Sequence, residues 1–187
     1  MSEIKVDVVS PYTGTSMTVG EAGDTVTCSG TAVGFGGGKV LQVINAIVST
    51  AYARTNVTAT WESTGLTASI TATATTSKIL VLSNIYAAPR AGSSNTHYNN
   101  VSIGLFRDST QIGGSRQVPL MNSNPHTAEC GIVWYDTTSI ADTTTAIVYT
   151  IKNNDADGGA GRFSMNDTGE SIQQVATSSI VLMEIGA

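Results

Sequence analysis

Short runs in which every second residue is apolar recur along this chain, separated by Gly, Asn and Asp. They leave the backbone little to form except a pleated sheet. Leu66, Ala68, Ile70 and Ala72 alternate with Thr67, Ser69, Thr71 and Thr73. Side chains on a strand point to opposite faces in turn, so this pattern describes a half-exposed strand. Further strands are expected at Val40–Val48, Ile79–Tyr86, around Val101, Ile103 and Leu105, at Val118–Met121, Glu129–Tyr135, Ala146–Lys152, Arg162–Met165 and Ser178–Ile185. A tight turn at Arg107-Asp-Ser-Thr110 returns the chain through Gln111 and Ile112. Thr, Val and Ile are stiff at χ1 and suit extended backbone. No stretch carries a helical period. About nine or ten strands without a helix predict an all-β fold, a jelly-roll-like β-sandwich.

Several strands are apolar on both faces. Val40, Ile44 and Val48 are expected to point one way, and Leu41, Val43 and Ile47 the other. Ile79, Val81 and Ile85 oppose Leu80 and Leu82; Val148 opposes Ile147, Tyr149 and Ile151. One face of a two-layer sandwich covers the core and the other meets water. A second apolar face therefore needs its own cover, from a neighbouring subunit or from the chain's own loops. Gly/Ser/Thr loops such as Ala91–Asn100 are poor covers, which favours the subunit and makes Leu41, Val43 and Ile47 interface residues.

Charge narrows the partners. Nine Lys and Arg against fourteen Asp and Glu give a net charge of −5. The basic residues are scattered, so neither a phosphate backbone nor an anionic membrane is an expected partner. Charged residues make up only 12% of the chain, which implies a neutral, hydroxyl-rich surface. The opening residues alternate charged and apolar groups and lack the continuous apolar stretch of a signal peptide, so cytoplasmic synthesis is expected. The longest aliphatic runs, such as Ile79–Leu82, are too short to cross a bilayer as a helix. Cys28 and Cys130 read as two small buried thiols, and their spacing leaves a bridge undecided.

The glycines at Gly34-Phe-Gly-Gly-Gly38 divide the chain into an N-terminal arm, 1–38, and a sandwich domain, 39–187. In the arm, Ile4, Val6 and Val8 alternate with Lys5 and Asp7, and two short β pieces follow at Met17–Val19 and Thr25–Cys28. So few apolar groups cannot make a separate core, and Ile4, Val6 and Val8 are expected to dock onto something larger.

Nothing in the chain assembles a catalytic centre, and no cofactor is expected. Gly34-Phe-Gly-Gly-Gly-Lys39 misses the phosphate-loop spacing, with Val33 in place of Gly and Val40 in place of Ser or Thr. Asn153-Asn-Asp155-Ala-Asp157-Gly158 resembles the start of a calcium loop, with Asp155 and Asp157 as weak ligand candidates. Its closing carboxylate is missing, since Ser164 stands there, and a polar hairpin turn is the simpler reading. His126 and Glu129 would point to opposite faces of a strand, and no second His or Cys pair completes a zinc set. The polar loop Gly92–Asn100 has the composition of an adaptable contact surface, with Asn95 and Tyr98 as candidate receptor contacts. Tyr86, His97, Tyr98, Trp134 and Tyr135 could include a sugar-stacking platform, although core positions for Tyr86 and Trp134 are the simpler reading.

Four segments carry a family likeness: Gly36-Gly-Gly-Lys-Val-Leu-Gln-Val43, Ser77-Lys-Ile-Leu-Val-Leu82, Leu105-Phe-Arg-Asp-Ser-Thr-Gln-Ile-Gly113 and Ser178-Ser-Ile-Val-Leu-Met-Glu-Ile185. In this order they resemble the C-terminal module of tailed-phage virion proteins, frequent in tail fibres of marine and cyanobacterial phages. Met1-Ser-Glu-Ile-Lys-Val-Asp7 resembles the start of such fibres, and Met17–Thr27 resembles a stalk repeat. The resemblance implies a non-enzymatic homotrimeric appendage of the virion, made in the host cytoplasm and often contacting the host surface. The single stalk-like repeat is brief, which favours a short tail spike or a capsid decoration protein over a long fibre. In either case residues 1–38 would dock onto other virion proteins. A glycan-binding module is the alternative from another class.

Overall fold

The computed structural model describes Thr13 and residues 39–57, 59–90, 101–113, 116–117, 128–155, 161–166 and 176–186. The chain divides into two units, Met1–Gly36 and Gly37–Ala187, and the fold below is that of the second. Eleven strands are described: β1 (Val40–Val48), β2 (Tyr52–Val57), β3 (Glu62–Ile70), β4 (Lys78–Arg90), β5 (Val101–Arg107), β6 (Thr110–Gln111), β7 (Arg116–Gln117), β8 (Ala128–Asp136), β9 (Ile147–Asp155), β10 (Gly161–Met165) and β11 (Ser178–Ile185). They make two antiparallel sheets, and no helix occurs among the described residues.

The first sheet has four ribbons. β4 is its longest strand, thirteen residues. β8 pairs along one side of it, Ile79 to Ala87. On the other side β11 pairs with Lys78–Asn84 and β10 with Ala87–Arg90, so β10 and β11 are one interrupted ribbon. Outside them lie β1, paired to β11, and β2, paired to β10, a second interrupted ribbon. Both breaks fall at the same level, where Asn166 closes the gap. Asn166 sits at φ 59°, a left-handed conformation its short polar side chain tolerates. Its Nδ2 donates to the carbonyls of Val48 at 2.7 Å and Thr50 at 3.2 Å, and its Oδ1 accepts from the Ser178 hydroxyl at 2.7 Å. The Ser178 oxygen accepts in turn from the Tyr86 amide. A breach inside a sheet leaves backbone groups orphaned, and these two side chains satisfy them.

The second sheet runs β3, β9, β5, with β6 and β7 on the far side of β5. Gly65 stands where the β3–β9 register slips, at φ +82°, a bulge conformation that a residue with Cβ resists. The expected turn after β5 is a two-residue hairpin in which Arg107 pairs with Thr110 and Asp108 takes a positive φ.

Between the sheets, Leu66, Ala68 and Ile70 of β3, Tyr149 and Ile151 of β9, and Ile103 and Leu105 of β5 meet Ile79, Val81 and Ile85 of β4 and Ile180 and Leu182 of β11. Phe163 and Met165 of β10 extend this core. Three readings of the sequence change here. β2 was not expected: its Tyr-Ala-Arg-Thr-Asn-Val has a charged Arg54 at a buried position, which hides the alternation. Val40 does not share a face with Ile44 and Val48, because a bulge between Val40 and Gln42 leaves it exposed. Trp134 is not core; it is 37% exposed at the edge of the first sheet. The strands expected in the arm and at Val118–Met121 lie outside the described residues.

Candidate functional site

The charged residues that enter the core each tie one sheet to the other. Asp136 of β8 accepts from the Tyr149 hydroxyl of β9 at 2.7 Å, from Arg107 of β5 at 3.2 Å and from the Thr138 amide at 2.9 Å. Burial pushes its carboxyl up, but these donors prevail and hold it below the usual carboxylate range. The Tyr149 phenol is correspondingly raised, by burial first and then by the Asp136 charge it donates to. At the other end Arg54 of β2 reaches Glu62 of β3 and the Asn153 side chain of β9. The third clasp is Glu184 of β11, fully buried. It accepts from Gln42 of β1 at 2.6 Å and from the amide and hydroxyl of Thr73, just beyond β3, both at 2.8 Å.

Glu184 is a carboxylate placed in phase with Ile180 and Leu182, on the inward face of an otherwise apolar strand. Burial opposes its ionisation, yet it titrates at about 2, because Gln42 and Thr73 donate to it and the Ser77 hydroxyl lies beside it, though outside good hydrogen-bond geometry. The folded chain therefore refuses a proton that the unfolded chain accepts near 4.5. Stability is complete above that value and falls as the pH drops from 4.5 toward 2. Across this window Glu184 should account for about 3 kcal/mol of the wild type's loss, and Glu184→Gln should remove that share and leave the smaller part due to Asp136. Denaturant midpoints of both proteins at a series of acid pH values check this.

The two outer faces differ in kind. On the second sheet the chain covers itself. Trp61 lies across β5, so close to Gly104 that a Cβ there would stand 2.9 Å from the ring. Trp61 also packs edge-on to Phe106 at 5.3 Å, and Lys152 sits 4.4 Å above the Phe106 ring. Ser63, Thr67 and Ser69 complete a hydroxyl-rich surface.

The first sheet presents the opposite surface. The register aligns Val43, Met183, Leu80 and Tyr135 in one row across β1, β11, β4 and β8. The next row is Asn45, Val181, Leu82 and Val133; the third is Ile47, Ser179, Asn84 and Gly131. Apolar side chains thus run from edge to edge, rimmed by Asn84, Ser179, Lys78 and Glu129. They stay wet at the margins: Leu41 is 43% exposed, Val43 53%, Ile47 59%, Val133 73% and Tyr135 50%. An apolar centre within a polar rim is the anatomy of a protein interface.

No protein-family model matches the chain. A search of curated proteins finds no significant relative either.

Of the residues singled out in the sequence, Leu41, Val43 and Ile47 come together on the outer face of β1. The segment that resembles a calcium loop begins inside β9: Asn153 is buried against Arg54, and Asp155 pairs through its backbone with Val101. Asp157, Ile4, Val6, Val8, Asn95 and Tyr98 lie outside the described residues. Cys130 is a buried cysteine on β8. Val133 and Tyr135 were not foreseen as part of the face, although their i, i+2 spacing on β8 already set them side by side. The inward Glu184 and Asp136 were missed because their partners are distant in sequence.

Proposed function

We propose that this protein is a non-enzymatic structural subunit of a phage virion, a jelly-roll-like sandwich that assembles as a homotrimer into a short appendage. The observation that carries this reading is the apolar outer face of the β1–β11–β4–β8 sheet, which sister copies would cover. Two further points support it. The buried charges Arg54, Asp136 and Glu184, with the half-buried Arg107, are all engaged in holding the two sheets together. The ordered segments from Gly36 to Ile185 resemble a virion module, and that likeness suggests the particle as the setting. A tail spike that meets the host surface is the form we favour, with residues 1–38 as the arm that seats it.

Light scattering coupled to size-exclusion chromatography should return three chain masses, unchanged on dilution to nanomolar protein. A single chain mass overturns the reading. Antibody labelling of intact particles should then mark the tail in few copies; dense labelling over the head would make it a capsid decoration protein.

A further inference from the structure

The described part of the first sheet is bounded by β1 on one side and β8 on the other. Among the described residues nothing pairs with the outer side of β1 or with the outer side of β8. Both strands are nine residues long. Exposed edges are normally blunted with Lys, Pro or bulges, because an unpaired row of amides and carbonyls invites another strand. β1 has no charged residue and no proline from Val40 to Val48, and its bulge is confined to its first residues. β8 is uncharged from Cys130 to Tyr135. The most exposed apolar side chains of the sheet stand on these same two strands: Val43 and Ile47 at one edge, Val133 and Tyr135 at the other.

We infer that successive copies join edge to edge, with β1 of one copy lying antiparallel along β8 of the next. The strand directions permit it, because β1 is parallel to β4 and β8 is antiparallel to β4 within one copy. Copies related by a rotation about an axis roughly along the strands therefore meet in the antiparallel sense. A two-fold pairing of β1 with β1 would leave β8 bare, with Val133 and Tyr135 still wet. Head-to-tail pairing satisfies both edges, and a rotation of one third of a turn per copy closes it into a ring of three. The apolar rows of neighbouring copies then turn toward a shared axis and cover one another. Each face is roughly 20 Å by 25 Å from strand spacing and rise. That is about 500 Å² in plan before side-chain relief, against roughly 800 Å² that one partner contributes to a standard interface, and side-chain relief and the paired edges add to it. The inference rests on the proposed self-assembly and adds which strands make it.

Cysteine pairing tests it on the full chain, with Cys28 and Cys130 replaced by alanine. One substitution is placed on β1 (Leu41→Cys, Val43→Cys or Ile47→Cys) and one on β8 (Val133→Cys or Tyr135→Cys). Within one copy these strands are separated by β11 and β4, about 14 Å, twice the reach of a disulfide. A bond between them is therefore intermolecular. Under mild oxidation at least one combination should give a covalent ladder ending at three chains, and every single substitution should stay at one chain. Self-linking by a β1 cysteine alone would mean β1 meets β1 and would overturn the inference. A three-chain native mass with no ladder from any combination would also overturn it, leaving the assembly reading intact. A single-chain native mass would remove both.

Discussion

Replacing Asp136 with alanine should destabilise the fold by about 3 kcal/mol, the scale of breaking a buried ion pair from one side. Three groups lose their acceptor at once. The Tyr149 hydroxyl is enclosed in the core and donates to Asp136 at 2.7 Å. Arg107, mostly buried, keeps a contact only with the Ser139 carbonyl, and the Thr138 amide is left open. Water cannot readily replace the carboxylate at Tyr149, so the desolvation cost of the phenol is met in full. Tyr149→Phe removes the donor and leaves the carboxylate its other partners, so it should cost about 1 kcal/mol. Urea midpoints for the two variants decide it. Equal losses would mean the clasp is held by packing of the ring and not by the charge. The clasp joins β8 to β5 and β9, so its loss should also loosen the edge that carries Val133 and Tyr135.

Val43→Asp combined with Val133→Asp should leave the single chain folded and reduce the assembly to monomers. Both side chains are mostly exposed in one copy, so a carboxylate there meets water and costs the isolated fold little. In an assembly that covers the face, each buried charge costs about 3 kcal/mol, over a hundredfold in dissociation constant. Ser63→Asp, on the hydroxyl-rich face of the second sheet, is the control and should leave the mass unchanged. The readout is native mass across a dilution series, with circular dichroism to show that the sheets persist. A double variant that keeps the wild-type mass would place the interface elsewhere.

Much of this was legible in the order of residues. Alternation at Leu66–Ile70 and through Ser178–Ile185 identifies strands without any knowledge of their neighbours, since side-chain direction along a strand follows from backbone geometry alone. The same local rule placed Leu41, Val43 and Ile47 on one face of β1. It failed where the alternation was broken by a need from elsewhere. Arg54 belongs inside only because Asn153 of β9 and Glu62 of β3 await it, and neither partner is visible from Tyr52–Val57. A bulge moved Val40 to the surface, and bulges depend on the partner strand.

Hydrophobic patterning therefore established an all-β chain whose strands have a dry side and, in several cases, a second greasy side. It could not say which second sides stay wet. That depends on strand order, which brings Trp61 and Lys152 over Phe106 on one sheet and aligns Val43, Met183, Leu80 and Tyr135 in the open on the other. Pairing between strands is a long-range choice, made by the sum of contacts across the core, and no window of neighbouring residues contains it.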